Sequence, residues 1–185
     1  MEQVAEPAMR DVQTVVRRAR TADVRTIKRL VDTYAGAGPR LLEKAMVTLY
    51  EDVQEFWVAE RDGKVVGCGA LHVLWEDLAE IRTVAVDPEY RGLGIGHKIV
   101  SALIDTAVEL GLRRVFCLTF EVDFFARHGF RPIQGTPVSP EVYAELLASY
   151  DEGVAEFLDL EHVKPNTLGN TRMLLHLPAK GDGVD

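Results

Sequence analysis

Three glycines alternate with other residues in Arg91-Gly92-Leu93-Gly94-Ile95-Gly96, between a run that reads as a strand and one that reads as a helix. Glycines there let the backbone approach an anionic group closely. The free N–H groups and positive dipole end of the following helix then supply binding energy. That is a pyrophosphate cradle in physical terms, with a flexible turn as the plainer alternative. Spacing excludes two nucleotide fingerprints. The dinucleotide turn requires a glycine where this chain has His97, and a P-loop requires Gly-Lys-Ser/Thr where it has Gly96-His97-Lys98. Cys68 and Cys117 lie in apolar runs without metal-ligand spacing, so no metal is expected and buried free thiols are the better reading.

The elements around this turn follow from periodicity. Gln13 to Arg18 alternates as a first strand, and Thr21 can cap a helix whose Val24, Ile27, Leu30 and Val31 share one face. Gly36, Gly38 and Pro39 break it, and a second helix is expected from Leu41 to about Val53. Phe56 to Ala59, Lys64 to Leu74 and Ala79 to Val86 read as an antiparallel meander, with Asp62-Gly63 as its first hairpin turn. The helix after the glycines runs from Ile95 to Leu110 with Ile99, Val100, Leu103, Ala107 and Leu110 as its apolar stripe, and Gly111 stops it. Arg114 to Phe120 is a strand, Phe124 to His128 a short helix and Phe130 to Ile133 a strand. That order implies a parallel crossover attached to the meander. A helix over Glu141 to Tyr150 and a last strand over Arg172 to Leu177 follow, while 153–169 shows no clear pattern. The fold class is α/β (α+β): a mixed, twisted sheet with helices on both faces.

A chain of 185 residues with 47% hydrophobic content suits one domain, expected over 14–177, with 1–12 and 178–185 as disordered tails. No apolar run is long enough to span a membrane and no signal-peptide core is present, so cytoplasmic location is the default. The net charge of −8 argues against nucleic acid as a partner. Between Ser139 and His162 stand seven carboxylates and no lysine or arginine. A solvated helical face is the plain reading, and a site for cationic partners the sharper one. Phe157, Leu158 and Leu160 either pack a homodimer or finish the core.

The segment Val84-Ala85-Val86-Asp87-Pro88-Glu89-Tyr90-Arg91-Gly92-Leu93-Gly94-Ile95-Gly96 resembles the acetyl-CoA motif of the GNAT N-acetyltransferases: a strand, Arg/Gln-x-x-Gly-x-Gly/Ala, then a helix. Downstream, Phe124-Phe125-Ala126-Arg127-His128-Gly129-Phe130 resembles that family's second signature, at the family's separation. The resemblance covers about Thr14 to Leu177 and implies a splayed sheet. It implies acetyl-CoA as co-substrate, its pyrophosphate held by backbone from Arg91 to Gly96 (Leu93 and Ile95 included), with His97, Phe124 and Arg127 also among the residues that bind it. Backbone of Thr83, Val84 and Val86 would pair with the pantetheine arm, which lies like an extra strand where two strands part. Arg91, Lys98 and Arg127 would offset the acidity of the chain near the phosphates.

Acetyl transfer to an amine needs a base for an ammonium with a pKa of about 9 to 10. Glu80, at the start of the strand that would hold the acetyl group, is the candidate; a solvent-facing strand-end glutamate is the alternative. The family's tyrosine, which protonates the leaving thiolate, is replaced by Phe125. Thr119, Tyr143 and solvent are the remaining proton sources.

The Phe125 departure resembles the acetyltransferase domain of N-acetylglutamate synthases, which acetylate the α-amine of glutamate at the start of arginine biosynthesis. Leu41-Leu42-Glu43-Lys44, Ala79-Glu80-Ile81 and Asn170-Thr171-Arg172-Met173-Leu174 resemble three further segments of that domain. The resemblance implies Lys44 for the substrate's side-chain carboxylate and Asn170, Thr171 and Arg172 for its α-carboxylate. A dicarboxylate does need two separated anion sites. Taken alone, Lys44 is an exposed helix lysine, and Asn170 and Thr171 merely open a strand. Longer synthases carry an N-terminal kinase-like domain that binds arginine, so this chain is expected to be a short stand-alone form, with glutamate, glutamine or a related compound as acceptor. Another amine (peptide, lysine or polyamine) and a non-catalytic acetyl-CoA-binding module are the competing readings.

Overall fold

The computed structural model describes residues 13–35, 41–164 and 168–179. Seven strands form one sheet: β1 Val15–Arg18, β2 Phe56–Arg61, β3 Lys64–Trp75, β4 Leu78–Val86, β5 Arg114–Thr119, β6 Arg131–Pro132 and β7 Thr171–His176. Their order is β1-β2-β3-β4-β5-β7-β6, and each neighbouring pair is antiparallel except β4–β5. The helices are α1 Val24–Ala35, α2 Met46–Glu51, α3 Ile95–Glu109, α4 Val122–Ala126, α5 Pro140–Leu146 and α6 Glu152–Phe157. The mixed sheet and the α3 crossover between parallel strands match the pattern read from periodicity. Expectations for Gly36, Gly38 and Pro39, and for 1–12 and 180–185, fall outside the described residues.

Alternation along the strands divides the interior. Ala59, Val66, Leu71, Ala79 and Ile81 pack with Ile95, Ile99, Val100 and Leu103 of α3. Phe56, Val58, Cys68 and Ala70 pack on the opposite face with Val24, Ile27, Leu30 and Val31 of α1. Further along that second face Leu78, Phe116 and Leu174 meet Leu146, Val154 and Phe157 of α5 and α6. The sheet therefore has helices on both faces. The β2–β3 hairpin turns through Asp62 (φ 49°) and Gly63 (φ 71°), the doubly left-handed turn whose twist suits antiparallel strands.

One irregularity shapes everything downstream. β3 and β4 pair as Cys68↔Ala85 and then as Ala70↔Arg82, so β4 takes three steps where β3 takes two. The extra residue is accommodated at Thr83, whose φ is +58°, a conformation that a β-branched residue adopts only where its surroundings hold it. The bulge flips the pleat. Ala79 and Ile81 face α3 before it, Val84 and Val86 face α3 after it, and Ala85 faces α1. β4 pairs with β5 only over Leu78–Glu80 against Arg114–Phe116. Beyond that point the two strands part, as the splayed sheet requires.

Several expectations are corrected. The second helix begins at Met46, not Leu41, so 41–45 is an irregular lead-in and Lys44 stands off the helix. Thr21 does not cap α1; Asp23 does the equivalent work, its carboxylate accepting the Arg20 N–H at 2.8 Å. Leu110 is 59% exposed at the end of α3 rather than on its stripe, while Gly111 (φ 80°) does end the helix. The helix expected to reach Tyr150 stops at Leu146. The unpatterned stretch holds α6, which buries Val154, Ala155, Glu156 and Phe157, so the acidic segment is not simply a solvated face. Phe157 and Leu158 finish the core, being 0% and 3% exposed. Both cysteines are buried free thiols, and burial pushes the Cys68 thiol up to about 12.

Candidate functional site

The glycine-rich turn has the geometry of an anion cradle. Gly92 (φ 80°) and Gly94 (φ 73°) are left-handed, and a Cβ on either would meet nothing within 4 Å, so the backbone lies open to solvent. Gly94 caps α3 without any side-chain hydrogen bond, and the first intrahelical bond there is from Lys98 N–H to the Gly94 carbonyl. The N–H groups of Ile95, Gly96 and His97 therefore face outward at the positive end of a 15-residue helix. Gly96 packs on the Phe124 ring, which a Cβ there would touch at 3.3 Å. Arg91 stacks over Tyr34 and donates to its hydroxyl at 3.2 Å, and that hydroxyl in turn donates to the Val86 carbonyl. Arg127 and Lys98 are exposed, and Leu93 is half exposed at the apex of the turn. His97 stacks on Phe124 at 4.4 Å and shares a 2.8 Å hydrogen bond with His128.

From this cradle a cleft of about 520 Å³ runs into the gap where β4 and β5 part. Its walls are Ile81 to Val84 and Val86 on one side and Leu118 to Glu121 on the other, with Phe124 and Phe125 beneath. The backbone edges of β4 and β5 beyond the Glu80–Phe116 pairing are open in this gap. An extended arm can pair with such edges as an added strand does. Thr119 lines the cleft, and its hydroxyl accepts the Glu121 N–H at 2.8 Å, leaving its own hydrogen available. Tyr143, the other side-chain proton source considered, donates to the Leu158 carbonyl at 3.1 Å and does not line the cleft.

A second, small cavity of about 70 Å³ opens from the same junction, sharing Leu41, Arg82, Thr83 and Leu118 with the cleft. Leu42, Lys44, Glu80, Gly153, Glu156 and Asn170 complete its walls. Glu80 is 4% exposed, not solvent-facing, and its Oε2 makes no hydrogen bond. Burial pushes its carboxyl up to about 7, against the pull of Arg82. Burial, with Glu80 adding to it, also raises Glu156 to about 7. Lys44 is depressed by burial and by Arg82, so the cavity holds one hindered cation beside two hindered acids.

The structure thus brings together Lys44, Glu80, Thr83, Thr119 and Asn170, and sets Val84, Val86, Arg91, Gly92 and Gly96 along the cleft. It does not bring Arg172 there. That guanidinium donates to the carbonyls of Gly135, Glu156 and Phe157 and lies over the Phe116 ring, fastening α6 to the sheet. Thr171 pairs with Thr119 across the β5–β7 ladder and does not line either cavity. Sequence reasoning missed Arg82, Tyr34, Asp151 and Glu156. A second charge, two residues after Glu80 inside the otherwise apolar strand from Ala79 to Val86, was a signal for Arg82. Nothing local marked Glu156, because its role depends on how α6 docks.

Comparison with known proteins follows the same lines. The profile described as the acetyltransferase (GNAT) family matches residues 15–130. A Mycobacterium tuberculosis protein named amino-acid acetyltransferase is 68% identical over 171 residues, covering 91% of this chain and 97% of that protein. A crystal structure of a Mycobacterium tuberculosis protein in complex with CoA and NLQ superposes with a TM-score of 0.86 at 69% identity, covering 89% of this chain and 99% of that one. The N-acetylglutamate synthase of Neisseria gonorrhoeae, complexed with coenzyme A and N-acetyl-glutamate, gives a TM-score of 0.71 at 22% identity over 91% of this chain and 36% of that chain. That last likeness is one of fold.

Proposed function

The chain belongs to the acetyltransferase (GNAT) family, and from that premise we propose that it acetylates the α-amine of a free amino acid, with Glu80 as the base. The observation that carries this reading is the meeting of a small polar cavity with the long cleft at Glu80, Arg82 and Thr83. The small cavity, continuous with the cleft at Arg82 and Thr83, gives an amino-acid side chain a place beside the thioester. The name of the 68% identical Mycobacterium tuberculosis relative, amino-acid acetyltransferase, points the same way.

In this mechanism the cradle and the β4 edge hold acetyl-CoA extended, so that its thioester reaches Thr83. Glu80, ionised above about pH 7 because burial has raised it that far, takes a proton from the acceptor ammonium directly or through water. The neutral nitrogen attacks the thioester carbonyl carbon, the new C–N bond forms, and the C–S bond breaks with its electron pair leaving on sulfur. The second proton of the attacking nitrogen passes to that thiolate through water or through the Thr119 hydroxyl, which gives its hydrogen to sulfur as it takes one from the nitrogen side, leaving the amide and the free thiol. Phe125 supplies shape and dryness there but no proton.

Among acceptors, the residues lining the cavity favour glutamine over glutamate. Lys44 is the one lysine at the wall, Arg82 is already paired with Asp151, and Glu156 adds a second carboxylate. A neutral carboxamide can donate to Glu156, whereas a side-chain carboxylate meets a like charge. A steady-state screen of glutamine, glutamate, polyamines and basic peptides at pH 8 tests the reading. Turnover of glutamine above glutamate is the expected result. Acetylation of polyamines or peptides with no turnover of either amino acid overturns it.

A further inference from the structure

The acidic stretch from Ser139 to His162 supplies one residue that joins two separate pieces of this site. Asp151 accepts from Arg82 at both oxygens, from Nη1 at 2.6 Å and Nη2 at 2.9 Å. Its Oδ1 also accepts the Val154 N–H at 2.9 Å and so caps α6, the helix that carries Gly153 and Glu156 into the cavity wall. The seat is built to close tolerance: a Cβ on Gly153 would lie 2.2 Å from Arg82 Nη1, so a side chain there would displace the guanidinium. Held there, Arg82 is 4.0 Å from Glu80 Oε2, near enough to attract and too far to hydrogen-bond. Arg82 Nε and Glu80 Oε2 are both buried without a hydrogen-bond partner, although opposite in charge and neighbours on the same strand face.

We propose that Asp151 is a positioning residue for acetyl transfer: it clamps Arg82 against Gly153 and away from a direct ion pair with Glu80, leaving that carboxylate a usable base. This rests on Glu80 being the base. Without Asp151, Arg82 is left between Glu55, 3.7 Å from Nη2, and Glu80, 4.0 Å from Nη1, the end that Asp151 Oδ1 now holds; a hydrogen-bonded ion pair formed there would make Glu80 a poor proton acceptor. The other charged or titratable groups around Glu80 are His72 on β3, Glu55 before β2, Lys44 before α2, Cys117 on β5, Arg172 on β7 and Glu156 on α6. None of these bridges Arg82 and the α6 N-terminus. Burial opposes ionisation of Asp151, but the Arg82 bonds hold its carboxyl well below the usual range, so the clamp is charged throughout the working pH.

The test is the acid limb of kcat/KM for the amino acid in three single variants and one double variant of the full chain. Glu80→Gln should abolish the limb. Asp151→Asn, which keeps a capping oxygen for α6, should move it to lower pH by about half a unit or more and lower the plateau, as Arg82 closes on Glu80. Arg82→Gln should move it to higher pH by a similar amount. Opposite displacements exclude a loosened pocket, which would move both variants the same way, and an Asp151→Asn shift that persists in the Arg82→Gln background is the bare loss of the Asp151 charge and overturns the clamp. Limbs that stay put, or shift together, overturn the inference while leaving Glu80 as base. A wild-type limb that survives Glu80→Gln removes Glu80, and this inference with it. Should Asp151→Asn fail to give a cooperative melt, Asp151→Ser keeps the cap and gives the same reading.

Discussion

Replacing Glu80 by glutamine should stabilise the protein while disabling it, and the size of the effect follows from one number. The Glu80 carboxyl sits at about 7 in the folded chain against an ordinary 4.5, because burial disfavours its charge. The folded state therefore binds this proton more tightly than the unfolded chain does. The stability it contributes is present in full below pH 4.5 and is lost as pH rises through 7. A displacement of roughly 2.5 units at about 1.4 kcal/mol per unit makes the loss about 3 kcal/mol by pH 8.5. Glutamine carries no charge and escapes it, but places an amide donor where Glu80 Oε2 now has no partner, a cost of about 1–2 kcal/mol. The net expectation is a gain of about 1–2 kcal/mol at pH 8.5, or a rise of about 2–8 °C in Tm, with no gain at pH 5. Thermal unfolding of both proteins at the two pH values measures this, and kcat at pH 8.5 should fall by about 100-fold or more. A Tm difference that is the same at pH 5 and pH 8.5 refutes the reasoning, since only a buried titrating carboxylate makes it pH-dependent.

Other perturbations test separate parts of the site. Lys44→Ala should raise KM for the amino acid by about 5- to 30-fold, with acetyl-CoA KM and kcat little changed, as steady-state kinetics would show. Gly94→Ala places a side chain at φ 73°, a strain of about 1–2 kcal/mol, and should weaken coenzyme A binding by calorimetry. Gly63→Ala, at φ 71° in the distant hairpin, should cost similar stability and leave coenzyme A affinity unaltered. Gly69→Ala drives a methyl to 2.7 Å from Ile99 Cγ2, and should lower stability by about 1–3 kcal/mol in denaturant titrations.

How much of this was legible in the sequence depends on the range over which each signal acts. The glycine-rich turn, the α3 stripe from Ile99 to Ala107, the Asp62-Gly63 hairpin and the Gly111 stop were readable because each is encoded within a few consecutive residues by φ preference or helical periodicity. The two signatures around Gly94 and Phe125 resembled a family whose fold the strands then reproduced, and that resemblance, with its place at the start of β4, marked Glu80. Composition placed Cys68 and Cys117 in the interior. Local signals failed where tertiary contacts outbid them. Leu41 to Ala45 carries residues compatible with a helix, but this segment forms an irregular lip on the cavity. α6 has no stripe to announce it because it is buried nearly all round, so periodicity vanishes.

The chemistry of the pocket belongs wholly to the second class. Whether Glu80 is a solvated strand-end carboxylate or a buried base near pH 7 depends on α6 and β5 covering it. Arg172 and Arg82 show the same point from opposite directions. The cation two residues after Asn170 is diverted to three backbone carbonyls, while the cation inside β4 faces the cavity from beside Gly153. Charge, burial and distance are properties of groups far apart in the chain, so only the packed sheet decides them. The pyrophosphate-cradle turn needed no such help, because three glycines and a helix start are local facts.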